Sequence, residues 1–174
     1  MRNPIGTEHT PWVEDDGCTI MVKLLQMADP TPAEKVTPTH VHLDQAKIEI
    51  GQLVDYGIVA QIYTNDHTGE YVEVCWVNPN ALLPEDAKCN GGEELFIISG
   101  SLKIDDKAYS HNEEYHKWGW IRFPPKSDEK NWQERQPLIA GATGAVVYRK
   151  TGHLTEKARA MEKIQIQDHE SVNQ

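Results

Sequence analysis

The sequence lacks the features that mark membrane and secreted proteins. No stretch of its 174 residues approaches the roughly 18 apolar residues that a membrane helix needs. The N-terminal residues lack the basic start and the apolar run of a signal peptide. The three cysteines, Cys18, Cys75 and Cys89, include no CxxC pair, and this odd number argues against a disulfide framework. These absences predict a protein of the reducing cytoplasm with no membrane partner.

Basic residues and common catalytic signatures are also scarce. Lys and Arg total 17 against 27 Asp and Glu, which gives a formal net charge of −10. Because a phosphate backbone repels a surface of that sign, we expect no nucleic-acid partner. The sequence also lacks a P-loop, a GxGxxG motif, a Ser-His-Asp signature and an HExxH motif. It therefore carries none of the local signatures of the common nucleotide-binding enzymes, hydrolases and zinc proteases.

The sequence does contain short runs in which apolar and polar residues alternate or β-branched residues are enriched, and these runs predict strands. The runs cover residues 18–25, 57–63, 71–77, 94–98, 101–105, 118–123 and 144–150. Turn signals such as Asn65-Asp66 and Ser99-Gly100-Ser101 separate them closely enough for hairpins. The pattern predicts an all-β sandwich or barrel.

Two segments depart from this pattern. Residues 28–50 begin with several prolines and predict a linker that leads into an extended segment. Residues 151–174 predict a helical tail, with a short amphipathic helix at about 155–166.

An internal repeat is visible between the start of the chain and its second half. Arg2 and Pro4 have the same spacing as Arg122 and Pro124. In each copy a tryptophan follows, and after it a glycine that leads into an apolar strand, at 17–23 and at 144–150. The economical explanation is a repeated domain of which the first copy is incomplete.

These residues resemble the characteristic motifs of the cupin superfamily. Pro4-x-Gly6-x-x-His9 is similar to the second cupin motif, and CNGGEELFIISG at 89–100 is similar to the first. The phrases GGEELFIISG, WIRFPP and RNPIGTEHTPW resemble the ChrR-like cupins, a double-cupin branch of the RmlC-like cupins. The resemblance implies a cupin jelly-roll β-barrel that binds a divalent metal. It also implies that residues 1–27 are the C-terminal remnant of a first, truncated repeat and that 51–150 form a complete barrel.

The metal positions that the resemblance implies are degenerate in this chain. Ala87 stands at the first histidine position, Cys89 replaces the second histidine, Glu93 is retained, and Glu129 stands at the last histidine position. His9 is the matching ligand of the first repeat. A thiolate with two carboxylates could hold zinc but is not the usual set for iron, manganese or nickel. A divalent metal is thus a candidate cofactor, and the alternative is a packed interior with Cys89 as a small apolar residue.

Three further residues are candidates for binding a small-molecule ligand. Trp76 and Trp120 could line an apolar cavity inside the barrel. Arg122 follows Trp120 by two residues and therefore shares its face, where it could hold a carboxylate. The alternatives are core packing for the tryptophans and a structural ion pair for Arg122.

Two histidine pairs are further candidate sites. His40 and His42 have the spacing of metal ligands on a strand, with Glu49 as a third candidate, although surface positions are the alternative. His111 and His116 flank an acidic loop and could supply a general base, since histidine titrates near ~6.5. A solvated loop is the alternative there.

The degenerate ligand positions favour a non-catalytic or vestigial barrel that binds or senses a small ligand. The alternative is a small metal-dependent cupin oxygenase that acts on a diketone or a similar carbonyl compound, which requires a metal with open coordination positions. The sequence leaves open whether the chain is an enzyme.

Self-association is the remaining expectation. An apolar strand at 18–25 would invite pairing if it were left without a partner strand. The sequence therefore predicts that this strand pairs within the second barrel or across a homodimer formed through the N-terminal strands. The zinc element HxxxCxxC of ChrR-type anti-sigma domains is absent, so we do not expect the chain to sequester a sigma factor in that way.

Overall fold

Strands that pair over long sequence distances dominate the part of the chain that the computed structural model describes, residues 42–66, 69–85, 87–104, 113–126 and 135–154. These residues belong to one compact unit, His42–Ala158. In chain order the elements are α1 (Leu43–Glu49), β1 (Gln52–Val54), β2 (Gly57–Asn65), β3 (Glu70–Val77), β4 (Leu82–Leu83), a 3-10 helix (Ala87–Gly91), β5 (Glu93–Ile104), β6 (Glu114–His116), β7 (Trp120–Phe123) and β8 (Leu138–Thr151).

The eight described strands form one antiparallel sheet in the order β1-β2-β3-β8-β5-β6, and β4 and β7 pair with β8 and β5 respectively. β8 lies between β3 and β5, so Thr151 is opposite Tyr71 on one side and Glu93 on the other. The predicted all-β fold class is confirmed.

The core lies on one face of this sheet, where alternate residues of the central strands point. On β5 these are Glu93, Leu95 and Ile97, all fully buried. The apolar members of the core come from the five strands β3, β4, β5, β7 and β8: Cys75, Val77, Leu83, Leu95, Ile97, Leu102, Ile121, Leu138, Ala140, Ala145 and Val147. This face, called the inner face below, also carries the charged residues of the candidate site.

β5 is one continuous strand, and the predicted turn at Ser99-Gly100-Ser101 is wrong. The pairing of β5 with β8 instead shifts register between Ile97 and Ser99 and between Gly100 and Leu102. Gly100 has a φ of 73°, and a Cβ there would clash with the backbone of Gly144. Gly100 therefore belongs to an irregularity within a strand. Such an irregularity and a turn both favour glycine, so the sequence does not distinguish them.

The extended conformation predicted for the end of segment 28–50 is wrong, because Leu43–Glu49 is helical. Most of its residues are strong helix formers, and the prolines on which the prediction rested all precede the helix. Ala46 is the one residue of α1 that is buried. The predicted strand at 18–25 and the predicted helix at 155–166 lie outside the described residues. In the described ranges, no helix has the length and apolar character to cross a membrane.

Candidate functional site

Glu93 is a fully buried carboxylate at the start of β5. It shares the inner face with Leu95 and Ile97, because side chains two residues apart on a strand point the same way. A charged carboxylate is costly to bury unless it is paired and hydrogen-bonded. The partners of Glu93 therefore determine what this site can do.

Two arginines hold both oxygens of Glu93. Arg149 donates from Nε to Oε1 at 2.7 Å, and Arg135 donates from Nε to Oε2 at 2.5 Å. A second donor of Arg135, Nη2, lies 3.4 Å from Oε1. Arg135 also donates to the carbonyl of Leu83 at 3.2 Å and stacks over the ring of Phe123. The carboxylate thus faces two fixed cations.

Arg149 uses its other donors to tie three segments together. Its Nη1 donates to Glu73 Oε1 at 3.2 Å, and its Nη2 donates to the carbonyl of Pro84 and to Cys89 Sγ, both at 3.0 Å. Burial by itself would lower the pKa of Arg149, but its neighbours, Glu93 first, outweigh this effect and raise the pKa above its ordinary value. The guanidinium therefore stays charged inside the protein.

The two described cysteines are both buried, and neither is in a disulfide. Cys75 Sγ donates to Glu73 Oε1 at 3.6 Å. Burial, followed by the charge of Glu73, raises the pKa of Cys75, so Cys75 remains a neutral thiol. Cys89 instead accepts from the Arg149 guanidinium, a contact that stabilises a thiolate. We refer to Glu73, Cys75, Cys89, Glu93, Arg135 and Arg149 together as the arginine centre.

A small cavity adjoins the arginine centre. It has a volume of about 10 Å³, which is about the space that one water molecule occupies. Its lining consists of Glu85, Cys89, Glu93, Phe123, Pro124, Lys126 and Arg135. The cavity therefore admits a water molecule beside Cys89 and Glu93 but not a ligand of several atoms.

The residues present do not fit a metal at this position. Cys89 and Glu93 both contact Arg149, and Glu93 is also hydrogen-bonded to Arg135. Within the described residues, no group of three or more His, Cys, Asp and Glu side chains is arranged to hold a metal ion. The other two predicted ligands, His9 and Glu129, lie outside the described residues. The cation at this place in the described structure is an arginine.

The three predicted ligand-binding residues do not line the interior. Trp76 lies on the face of β3 opposite Cys75 and Val77, with Lys47 Nζ 5.7 Å from the centre of its ring. Trp120 is 54% exposed, and the side chain of Arg122 is half exposed, with Nε 3.7 Å from Glu94 Oε1.

The prediction of an interior cavity lined by these tryptophans is therefore wrong. The prediction that Trp120 and Arg122 share a face agrees with the burial of Ile121 between them. That Arg122 holds a ligand carboxylate stays a prediction.

Each histidine pair has one member outside the described residues, so both sites stay predictions. His42 is the residue before α1 and Glu49 is the last residue of that helix, while His40 lies outside the described residues. His116 is exposed on β6, and His111 lies outside the described residues.

Sequence reasoning missed Glu73, Arg135 and Arg149. Glu73 and Arg149 lie directly opposite each other on β3 and β8. Each stands two residues from a core residue of its own strand, Cys75 and Val147. A residue of each charge at a position where the alternation of its strand predicts an apolar, inward-facing residue is the signal that could have revealed the pair.

Comparison with known proteins gives structural neighbours only. No family model and no curated protein matches the chain. One similar solved structure is a Cupin 2 conserved barrel domain protein of Salinispora arenicola, at 11% identity over 74% of this chain and 98% of that chain, with a TM-score of 0.49. RmlC-like cupins are also among the neighbours.

Several neighbours carry the names of enzymes. The ectoine synthase of P. lautus is 9% identical over 66% of this chain and 81% of that chain, with a TM-score of 0.47. A candidate acetylacetone dioxygenase of Methylibium petroleiphilum is 10% identical over 67% of this chain and 78% of that chain, with a TM-score of 0.46.

Proposed function

We propose that the chain is a non-catalytic, cupin-type barrel of the ChrR-like branch that binds or senses a small ligand without a catalytic metal. The observation that carries the proposal is the engagement of Glu93 by both Arg135 and Arg149. Catalysis by a metal requires ligands free to coordinate it and open positions for the substrate. In this chain Glu93, the metal-ligand residue that the family resemblance retains, is bound to two guanidinium groups instead. A cytoplasmic homodimer joined through the N-terminal strands belongs to the same proposal.

The ligand site that we propose lies at the outer side of the small cavity, at Phe123 and Lys126. Phe123 offers an apolar ring, while Lys126 is a half-exposed cation that pairs with Glu85 at 3.0 Å. An ion pair at such an exposed position costs little to exchange. A small ligand that carries a carboxylate and an apolar group matches this combination, with its carboxylate replacing Glu85 as the partner of Lys126.

Metal analysis tests the first part of the proposal. The tag-free protein would be purified after growth with added iron, manganese, nickel and zinc, beside the double variant Cys89→Ala, Glu93→Ala. We expect less than about a tenth of an equivalent of metal per chain in both proteins. About one equivalent in the parent protein that is lost in the variant would overturn the proposal. Metal-dependent consumption of dioxygen with acetylacetone would establish the oxygenase alternative.

A thermal-shift screen with acetate, benzoate and succinate tests the second part. We expect an aromatic or longer carboxylate to stabilise the parent protein and to lose this effect in Lys126→Met. Lys103→Met is the matched control, because Lys103 is also a half-exposed lysine paired with a glutamate. If no carboxylate stabilises the protein, or if both variants lose the effect equally, the ligand site is not at Lys126.

A further inference from the structure

Three aromatic side chains lie together on the outer face of β5 and β7, the face of the sheet opposite the inner face. Phe96 and Trp120 are directly opposite each other on these strands, and the ring of Trp118 stacks on Phe96 with 5.7 Å between the ring centres. Trp118 and Trp120 are 46% and 54% exposed. We call these three residues the aromatic platform. The sheet separates it from the small cavity, because the neighbouring residues Leu95 and Ile121 point into the core.

The backbone holds Trp118 in a conformation that is unfavourable for a bulky residue. The N–H of Gly119 donates to the carbonyl of His116 at 2.7 Å and closes a turn with Trp118 at its third position. Trp118 has a φ of 72° there, where turns ordinarily favour glycine or asparagine. Its own N–H donates to the carbonyl of Ile97 at 2.8 Å, which fixes the turn to β5. An exposed indole that is already fixed loses little freedom when a ligand stacks on it.

Charged groups that can form hydrogen bonds border the aromatic platform. Arg122 and Glu94 are directly opposite each other on β7 and β5, two residues along each strand from the aromatic pair. The half-exposed Arg122 offers donors, and Glu94, 3.7 Å from its Nε, is an acceptor. Lys117 Nζ lies 4.6 Å from the centre of the Trp118 ring, because the face of an indole attracts positive charge. Lys117 is exposed and its stem is flexible, so it can leave the ring when a ligand arrives.

The size and charge of the aromatic platform select among possible partners. A tryptophan side chain buries at most about 250 Å², so two half-exposed rings offer roughly 250 Å² in total. A stable protein interface buries about 800 Å² per partner, and the platform is too small to hold a protein by itself. Nucleic-acid bases also stack on aromatic rings, but the net charge of −10 repels their phosphates.

We infer that the aromatic platform binds a neutral polysaccharide chain. The C–H groups on the face of a sugar ring carry a small positive charge and stack on the negative face of an indole. Sugar hydroxyls both donate and accept hydrogen bonds, which matches Arg122 and Glu94 beside the rings. A linear polymer can lie along an open surface and contact both tryptophans with different sugar units. This surface is separate from the carboxylate site proposed at Lys126 and does not depend on it.

Native electrophoresis in gels that contain a soluble polysaccharide tests the inference on the full-length protein. The probes are hydroxyethyl cellulose, xylan, galactomannan and amylopectin, with polygalacturonate as the charged comparison. We expect at least one neutral polymer to retard the parent protein, and Trp118→Ala and Trp120→Ala each to weaken this binding by about tenfold or more. Lys117→Met should bind at least as well as the parent, because it removes the cation that competes for the ring.

Leu53→Ala is the matched control, because Leu53 is an apolar residue of β1 that is 87% exposed, and it should bind like the parent. Lack of retardation by every neutral polymer, retardation by polygalacturonate alone, or an equal loss in Leu53→Ala overturns the inference and leaves the proposed function intact. Sedimentation velocity would be measured on the same proteins. If both tryptophan variants sediment as smaller species than the parent, the rings join copies of the chain, which also overturns it. If Trp118→Ala does not fold, Trp120→Ala decides alone.

Discussion

The arginine centre predicts that the conservative substitution Glu93→Gln strongly destabilises the protein. Glutamine preserves the shape of the side chain but removes the negative charge that faces Arg135 and Arg149. It also directs an NH₂ group toward N–H donors, so at least one buried hydrogen bond at 2.5–2.7 Å is lost. Breaking a buried ion pair from one side costs about 3–5 kcal/mol.

Urea denaturation converts this cost into a measurable shift. With an m-value of about 2 kcal/mol per molar, a loss of about 3–5 kcal/mol lowers the urea midpoint by about 1.5–2.5 M. Urea is the suitable denaturant because it is uncharged and does not screen ion pairs. The melting temperature should fall in parallel.

Glu114→Gln is the matched control for this measurement. Glu114 accepts from Ser101 Oγ at 2.7 Å and lies 3.9 Å from Lys103 Nζ, but it is exposed. Its substitution should therefore move the urea midpoint much less than Glu93→Gln does, because an exposed pair is screened by water. Equal shifts for the two variants would refute the reasoning, since burial would then make no difference to the carboxylate.

Two further predictions concern the cysteines and the glycines. In a Cys18→Ser background at neutral pH, iodoacetamide should alkylate Cys89 faster than Cys75, because burial raises the pKa of the Cys75 thiol while Cys89 contacts a guanidinium and borders the small cavity. Mass spectrometry of digested samples measures the two alkylation rates. Equal rates would contradict the inferred difference between the two thiols. Gly100→Ala should destabilise the protein more than Gly69→Ala, since both glycines have positive φ but only Gly100 is crowded by backbone atoms. The free energies of unfolding of the two variants should differ by more than about 1 kcal/mol. Similar values would mean that the backbone of β8 moves to accommodate the methyl group.

The sequence predicted the sheet well where strands are long and apolar. It predicted strands within β2, β3, β5, β7 and β8, because their alternation or β-branched content is strong. It missed β1, β4 and β6, which have two or three residues each and so no period to detect. The predicted strand at 118–123 starts only at Trp120, since Trp118 has a positive φ of 72° that no strand continues.

The candidate site was predicted in part. The family resemblance identified Cys89 and Glu93, which do lie together, but it did not identify Arg149 as the group between them. Arg149 is opposite Glu73, a residue 76 positions earlier in the chain, and sequence periodicity contains no information about which strands are neighbours. Trp76 was misplaced for a related reason. Residues on both faces of β3 are buried, so the alternation along β3 does not show which face is the interior.

The position of β8 has a consequence for how the chain assembles during synthesis. This strand joins the β2–β3 hairpin to β5, yet it is the last strand of the described sheet to leave the ribosome. Its pairing with β3 connects residues about 70 to 80 positions apart, and contacts of such separation form slowly. Until β8 arrives, β3 and β5 each present an unpaired apolar edge, which is the state in which chains aggregate. Production of soluble protein should therefore depend on how quickly translation passes from β5 to the end of β8, and a chaperone that covers strand edges has most to offer in that interval.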